Sequence, residues 1–302
     1  MSNLNRRQFL KMGASLAAAM ALGPAAIPRI ADALAELSSG QVPVLWLQGQ
    51  SCSGCSVSLL NSENPSPASV ITQYISLRFH STLSVATGHT AMDVVEKTIE
   101  EGGYYLAVEG SLPQGMPEAC VMGGQPVGDL VVKAAAKAKA IICVGACAAY
   151  GGIPAAENNP TGSVSVPDFL KDKGGSVPLI RLPGCPCHPD WIVGTLVHTI
   201  KFGLPKLGPD GRPEMFFGRL LHDQCPRFAD YERENFAQTF SEDGCLFKLG
   251  CLGPLTKADC TTRFWNRGVN TCIVAGAPCI GCASEIFAKS AAMPFYRKGE
   301  VN

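Results

Sequence analysis

The segment VLWLQGQSCSGC, residues 44–55, joins a short apolar run to a loop that carries two cysteines. Four consecutive apolar residues that end just before a glycine are typical of a buried strand. Short apolar runs of this kind alternate with helical stretches as far as about residue 202. We therefore predict five strands separated by helices, at residues 44–47, 75–79, 104–108, 141–144 and 177–182.

Helices are expected at residues 91–101 and 128–140, and a last one should start after Asp190 and end near Phe202. Repeated strand–helix units form parallel sheets with helices on both faces. We predict an α/β fold in which residues 40–205 form a flavodoxin-like, doubly wound parallel sheet. Beyond a proline- and glycine-rich boundary the periodicity fades. Residues 206–302 should form a second domain with little regular secondary structure, apart from short pieces such as a helix at 228–240.

Four cysteines follow predicted strands. Cys52 and Cys55 follow the first strand, Cys147 follows the fourth and Cys185 follows the fifth. The carboxyl ends of parallel strands lie at one edge of a sheet, and ligands bind there. The pattern brings four thiols that are far apart in sequence to one place, so we predict a four-thiolate site.

The second half of the chain holds another group of potential ligands. Eight lie within sixty-one residues: His222, Cys225, Cys245, Cys251, Cys260, Cys272, Cys279 and Cys282. This number is enough for two four-ligand metal sites, which would also hold together a segment that is poor in helices and strands. Thiolates select zinc, copper(I) or iron–sulfur clusters over harder ions.

The first thirty-five residues have the composition of an export signal. Arg6 and Arg7 precede an apolar run at residues 12–22, and small residues follow around Ala33 and Ala35. This order is typical of a signal peptide, and the paired arginines indicate the twin-arginine route. We expect a periplasmic protein that is exported already folded. No later segment has the roughly 20 consecutive apolar residues that span a bilayer, so no membrane anchor is expected.

The cysteines have three alternative uses. A periplasmic location favours disulfides, and the pair Cys279-x2-Cys282 suits zinc as well as iron–sulfur clusters. Zinc ribbons, however, usually pair two such turns about 15–20 residues apart, whereas the partners here stand at single, scattered positions. Export in the folded state favours clusters that are inserted beforehand. The residues favour iron–sulfur clusters and leave zinc and disulfides open.

Several motifs together resemble one known family. In the N-terminal part they are Trp46-Leu47-Gln48-Gly49, Cys52-Ser53-Gly54-Cys55, Val108-Glu109-Gly110-Ser111, Gly145-Ala146-Cys147 and Pro183-Gly184-Cys185-Pro186. In the C-terminal part they are His222-x2-Cys225, Gly250-Cys251-Leu252-Gly253-Pro254, Ala258-Asp259-Cys260 and Pro278-Cys279-Ile280-Gly281-Cys282. Over nearly its whole length the chain resembles the small, electron-transfer subunit of periplasmic nickel–iron hydrogenases, of the nickel–iron or the nickel–iron–selenium type.

The resemblance implies three iron–sulfur clusters. The ligands of a proximal [4Fe–4S] cluster are matched by Cys52, Cys55, Cys147 and Cys185. Those of a distal [4Fe–4S] cluster are matched by His222, Cys225, Cys245 and Cys251, and those of a medial cluster by Cys260, Cys279 and Cys282. Many relatives have a proline in place of Cys272 and a medial [3Fe–4S] cluster. Because Cys272 supplies a fourth thiolate, we expect a medial [4Fe–4S] cluster here, and a [3Fe–4S] cluster if Cys272 is not a ligand.

The function implied by the resemblance is electron transfer within an uptake hydrogenase, which oxidises H2 to two protons and two electrons. The chain would relay electrons from the catalytic nickel–iron site of a large subunit to a periplasmic cytochrome c of the c3 type. No residue of this chain is expected to be catalytic. The alternatives are a cluster subunit of a quinone-linked complex and an exported zinc- or disulfide-stabilised structural protein. A formal net charge of 0 without a basic stripe argues against a nucleic-acid partner.

Several other residues have structural interpretations. Cys187 lies close to the proximal ligands in sequence and is expected to pack beside the cluster rather than bind it. Cys143, inside an apolar strand, is expected in the core. Glu109 is expected to anchor a loop through hydrogen bonds. Gly54 and Gly152 stand where oxygen-tolerant relatives have two additional cysteines around the proximal cluster. Because both residues are glycines here, this particular basis of oxygen tolerance is expected to be absent.

Overall fold

The computed structural model describes residues 42–173 and 177–289, together with Ala14 and Ile27. Apart from those two residues, the predicted export signal at 1–35 lies outside the described residues, as does the end of the chain at 290–302. All fourteen cysteines lie within the described ranges.

The strands in the described residues are β1 (Val42–Gln48), β2 (Ile75–His80), β3 (Tyr105–Glu109), β4 (Leu112–Pro113), β5 (Val121–Met122), β6 (Gln125–Pro126), β7 (Ala140–Val144), β8 (Ser163–Val164) and β9 (Leu179–Leu182). Five of them form a parallel sheet in the order β2-β1-β3-β7-β9. This is the flavodoxin-like strand order, so the predicted fold class is confirmed. The remaining strands form two antiparallel pairs, β4 with β8 and β5 with β6.

The α-helices of the described chain are α1 (Gly54–Leu59), α2 (Pro67–Ser69), α3 (Gly88–Glu101), α4 (Val127–Ala135), α5 (Gly145–Tyr150), α6 (Val166–Leu170), α7 (Pro189–Phe202), α8 (Glu214–Phe217), α9 (Phe228–Glu232) and α10 (Cys260–Arg263). A π-helical turn at Val70–Tyr74 continues α2. Short 3-10 turns lie at Pro117–Ala119, Ile153–Ala155, His222–Gln224, Phe247–Leu249 and Gly253–Leu255. Within the described residues, no helix is both long and apolar enough to cross a membrane.

The two faces of the sheet pack against different helices, because side chains alternate along each strand. On one face, Trp46 of β1 belongs to an apolar cluster that includes Trp191 of α7. On the other face, Leu47 belongs to a second cluster that includes Val95 of α3 and Leu130 of α4. Both faces are therefore buried, which explains why the strands are continuous apolar runs.

Several helix boundaries differ from the prediction, and α3, for example, begins at Gly88 rather than at residue 91. α4 ends at Ala135 rather than near residue 140, because the chain turns back to the sheet and the N–H of Lys139 donates to the carbonyl of Tyr104 at 2.8 Å. α7 begins at Pro189, and its N-cap is His188 rather than Asp190. The His188 ring nitrogen Nδ1 accepts the N–H of Asp190 at 3.1 Å.

The C-terminal part has little regular structure, as predicted. The helix expected at 228–240 is confined to α9, since Glu234 takes a positive φ of 55° that interrupts a right-handed helix. This part packs onto the N-terminal half, because Phe217 and Leu249 belong to the same apolar cluster as Trp191. The indole Nε1 of Trp191 also donates to Asp259 Oδ1 at 2.9 Å. One apolar cluster therefore spans both predicted domains.

Candidate metal centres

The four thiols that follow the strands are brought together at the carboxyl edge of the sheet. Cys52 and Cys55 flank the start of α1, Cys147 lies in α5 directly after β7, and Cys185 follows β9. Burial, followed by the nearby thiols of Cys185 and Cys52, raises the pKa of Cys147 to about 11. Burial also raises the pKa of Cys55, and Cys147 contributes to that rise. The raised pKa values of Cys55 and Cys147 favour their protonated forms when no cation is bound, whereas bound iron would stabilise the thiolates.

Glycines make room beside three of these four sulfurs. A Cβ on Gly145 would lie 2.5 Å from Cys55 Sγ, and one on Gly152 would lie 2.7 Å from Cys147 Sγ. Gly54 similarly faces Cys52 Sγ, with 3.1 Å to the position of its missing Cβ. Gly145 and Gly152 also have φ angles of +90° and +55°, which side-chain-bearing residues rarely adopt. The absence of side chains at these glycines thus leaves space around three sulfur atoms that would bind a cluster.

The buried carboxylate of Glu109 fixes the loop that carries Cys52 and Cys55. Its Oε1 accepts the N–H of Cys55 at 3.1 Å and the hydroxyl of Ser51 at 3.0 Å. Its Oε2 accepts the indole N–H of Trp46 at 3.2 Å, and further bonds come from the side chains of Gln48 and Ser56. The expectation that Glu109 anchors a loop is confirmed.

Cys187 is fully buried between the proximal ligands and the C-terminal part. Its N–H donates to Cys55 Sγ at 3.3 Å, and its carbonyl accepts the hydroxyl of Ser58 at 2.6 Å. Burial raises the pKa of its thiol well above the usual value, and the nearby Cys282 adds to the rise. The expected position of Cys187 beside the proximal cluster stays a prediction, and the residue belongs to the apolar cluster that includes Trp191. Cys143 is buried in the other cluster, where burial raises its pKa to about 12.

The four expected medial ligands line one cavity of about 270 Å³, and they are Cys260, Cys272, Cys279 and Cys282. Burial, then Cys282 and Cys279, raises the pKa of Cys260. Cys272 also lies close enough to influence the thiols of Cys279 and Cys282, although it is exposed and the other three are not. The cavity is lined mainly by apolar side chains besides these thiols, so its donor set suits an iron–sulfur cluster.

The four expected distal ligands line a smaller cavity nearby, and they are His222, Cys225, Cys245 and Cys251. Burial raises the pKa of Cys245, and the thiols of Cys251 and Cys225 contribute. The His222 ring meets Tyr231 edge-on with 4.6 Å between the ring centroids. Among the described residues, neither nitrogen of His222 has a hydrogen-bond partner, so the imidazole is available as a ligand.

Direct contacts connect the three groups in one order. Cys185, a proximal residue, lines the same cavity as the four medial residues. The N–H of the medial residue Cys279 donates to Sγ of the distal residue Cys251 at 3.4 Å. The group that contains Cys272 therefore lies between the other two.

The structure also bears on disulfide formation and zinc binding, the two alternatives to iron–sulfur clusters. All fourteen thiols are free in the structure, so the disulfide alternative is not observed. Within residues 42–173 and 177–289, no three His, Cys, Asp or Glu side chains are placed to hold a single metal ion. A cluster binds each thiolate at a different iron atom, so its ligands stand around a wider space.

Sequence reasoning missed some residues at these sites. The close approach of Gly145 to Cys55 brings the start of α5 next to the start of α1, and the motif around Cys147 was the only signal in the sequence. Thr261, whose buried hydroxyl lies beside the medial ligands, had no sequence signal at all.

Three family models match the chain. The model for the NADH ubiquinone oxidoreductase 20 Kd subunit matches residues 52–199, and the model for the C-terminal part of the NiFe/NiFeSe hydrogenase small subunit matches residues 217–296. A cluster subunit of a quinone-linked complex would account for the first match but not for the second. That alternative therefore does not explain the C-terminal part of the chain. A twin-arginine translocation signal model matches residues 3–23. The predicted export to the periplasm by this route is confirmed.

Relatives match over almost the full length. The periplasmic [NiFeSe] hydrogenase small subunit of Desulfomicrobium baculatum is 41% identical over 314 residues, covering 97% of this chain and 99% of that protein. The periplasmic [NiFe] hydrogenase small subunit of Solidesulfovibrio fructosivorans is 39% identical, covering 99% and 94%. The reduced, active Ni-Fe-Se hydrogenase of Desulfomicrobium baculatum superposes with a TM-score of 0.82 at 43% identity, covering 86% of this chain and 100% of that one.

Hydrogenase small subunits carry iron–sulfur clusters and pair with a large subunit of the nickel–iron type. In both halves of the described chain, the fold, the grouped thiols and the matches to known proteins indicate the same family. This chain belongs to the family of NiFe/NiFeSe hydrogenase small subunits and is part of a periplasmic oxidoreductase.

Proposed function

We propose that this chain conducts electrons through three [4Fe–4S] clusters, from the nickel–iron centre of its large subunit to a c-type cytochrome of the c3 type. The observation that carries the proposal is the linear order of the three ligand groups. The proximal residue Cys185 lines the cavity that holds the medial thiols, and the N–H of the medial residue Cys279 donates to Sγ of the distal residue Cys251 at 3.4 Å. Such short connections suit electron transfer between buried centres.

The proximal cluster, on Cys52, Cys55, Cys147 and Cys185, would face the large subunit. Cys52 is exposed, and exposed apolar side chains surround this region. Val57 on α1 is 57% exposed, and Leu60 and Ile153 are also exposed. Exposed apolar groups around a functional site are typical of a surface that another protein covers.

The medial cluster, on Cys260, Cys272, Cys279 and Cys282, would be the relay. Four thiolates complete a [4Fe–4S] site, and the N–H of Gly281 donates to Cys279 Sγ at 3.4 Å. Hydrogen bonds to sulfur stabilise the more negative, reduced cluster.

The distal cluster, on His222, Cys225, Cys245 and Cys251, would deliver electrons to the carrier. A neutral imidazole in place of a thiolate raises the reduction potential, as it does in Rieske centres. In this division residues 1–35 are the export signal, residues 40–205 hold the proximal cluster and residues 206–302 hold the other two. No residue of this chain performs the cleavage of H2.

The test separates electron exit from H2 chemistry in the purified heterodimer. His222→Ala should slow H2-driven reduction of cytochrome c about tenfold or more, because the distal cluster is lost or altered. H2/D2 exchange at the large subunit should stay near the wild-type rate. The matched control is His89→Ala, which removes an exposed histidine from α3 and should change neither activity. Equal loss of both activities in His222→Ala would refute the proposed division of roles.

A further inference from the structure

One buried hydroxyl beside the medial ligands has no hydrogen-bond partner among the described residues. Thr261 follows Cys260 on α10 and is only 7% exposed. Its Oγ1 is buried, and no donor or acceptor for it exists among the described residues. Leaving a buried hydroxyl unpaired is destabilising, and native proteins do so rarely.

The position of Thr261 suggests what its partner is. Thr261 lines the cavity of about 270 Å³ together with all four medial ligands. The other buried hydroxyls without partners in the described chain are those of Ser62, Thr195 and Thr199, and none of these residues lines that cavity. Of these four unpaired hydroxyls of the described chain, that of Thr261 therefore belongs to a residue that lines the cavity of the medial thiols.

Other hydroxyls at the cavity already have partners. Thr271 Oγ1 accepts the N–H of Val274 at 3.2 Å. Thr256 Oγ1 donates to the carbonyl of Leu252 at 2.7 Å. Unlike these two, the Thr261 hydroxyl has neither a donor nor an acceptor in the described protein and remains available to a group inside the cavity.

We propose that the Thr261 hydroxyl donates a hydrogen bond to a sulfur atom of the medial cluster and thereby raises the reduction potential of that cluster. The inference rests on the proposed function, which places a cluster on Cys260, Cys272, Cys279 and Cys282. Reduction adds one electron to the cluster and makes its sulfur atoms more negative. The hydrogen bond strengthens in the reduced state while the proton stays on the threonine oxygen, and hydrogen bonds to sulfur are among the factors that set cluster potentials.

The test is an EPR-monitored redox titration of the whole heterodimer. Thr261→Val keeps the branched shape and removes the hydroxyl. It should lower the ratio of reduced to oxidised medial cluster about fivefold at a fixed ambient potential, the order of effect expected of one hydrogen bond. Thr261→Ser keeps a hydroxyl and should restore the wild-type ratio. If Thr261→Val assembles no medial cluster, Thr261→Ala provides the same comparison.

The matched control is the next residue. Thr262 is exposed, and its hydroxyl donates to the carbonyl of Asp259 at 3.0 Å. Thr262→Val should leave the medial potential unchanged, and the proximal and distal potentials should stay constant in every variant. In D2O, pulsed ENDOR should show an exchangeable deuteron coupled to the medial cluster that Thr261→Val removes.

The outcomes distinguish the two proposals. A wild-type potential and an unchanged deuteron signal in both Thr261→Val and Thr261→Ala overturn the inference and leave the proposed function intact. An equal shift in Thr261→Ser and Thr261→Val overturns it as well, because packing rather than the hydroxyl would then be responsible. Wild-type enzyme that contains no medial cluster overturns the proposed function together with the inference.

Discussion

The proposed proximal site and the two proposed C-terminal sites place their expected ligands on different scaffolds. The proximal thiols follow β1, β7 and β9, whose residues are packed on both faces of the sheet. The C-terminal ligands lie on turns and helices of three to five residues, such as His222–Gln224 and α10. Apolar packing can thus position one set of thiols before metal binds, whereas an irregular segment depends more on its metal–ligand bonds for order.

Iron removal is expected to show the largest difference between the two scaffolds. Chelation of the heterodimer under reducing conditions should speed hydrogen exchange of residues 214–289 roughly tenfold or more. Once iron is removed, few backbone hydrogen bonds within helices or strands hold this segment in place. The strands β1, β3 and β7 should stay protected because their apolar clusters do not involve metal. Hydrogen–deuterium exchange with mass spectrometry, compared with a sample incubated without chelator, measures the difference. Equal loss of protection in both regions would show that the scaffolds do not differ in this way.

A single methyl group at the proximal site is expected to have the next largest effect. Gly145→Ala places a Cβ 2.5 Å from Cys55 Sγ at a φ of +90°. The substitution should prevent assembly of the proximal cluster and leave the C-terminal clusters in place. Iron analysis and EPR of the purified heterodimer measure this loss.

Gly203→Ala is the matched control for Gly145→Ala. Gly203 has a φ of +79°, and nothing in the described chain lies within 4 Å of its missing Cβ. That variant should lose only about 1–2 kcal/mol of stability from backbone strain and keep its clusters. If both variants lose iron equally, backbone strain rather than the crowded sulfur would be the cause.

The smallest change concerns one iron atom of the medial cluster. Cys272→Ala should convert this cluster from [4Fe–4S] to [3Fe–4S], because three thiolates remain in the cavity. EPR of the oxidised enzyme should then show a stoichiometric [3Fe–4S] signal that the wild type lacks. Cys120→Ala, which removes a half-buried thiol outside the three groups, should leave the spectrum unchanged. A stoichiometric [3Fe–4S] signal in oxidised wild-type enzyme would contradict the four-thiolate assignment.

Much of the N-terminal half could be predicted because its signals are local. Apolar runs such as 44–47 and 141–144 mark strands that are buried on both faces, and parallel pairing brings Cys52, Cys147 and Cys185 to one edge. Helix ends were less predictable. α4 stops early because of a hydrogen bond between Lys139 and Tyr104, which are far apart in sequence. A periodic pattern does not contain that information.

The sequence by itself determined the fold class, the export route and the family, because strand periodicity, the twin arginines and the cysteine motifs are encoded in contiguous residues. Only the tertiary structure decided which contacts connect the three ligand groups, and it alone showed that Gly145 faces Cys55 and that Thr261 lies unpaired beside the medial ligands among the described residues. The physical reason is that these contacts join segments that are distant along the chain. Their geometry arises from the packing of the irregular C-terminal part against the sheet, and no local pattern specifies it.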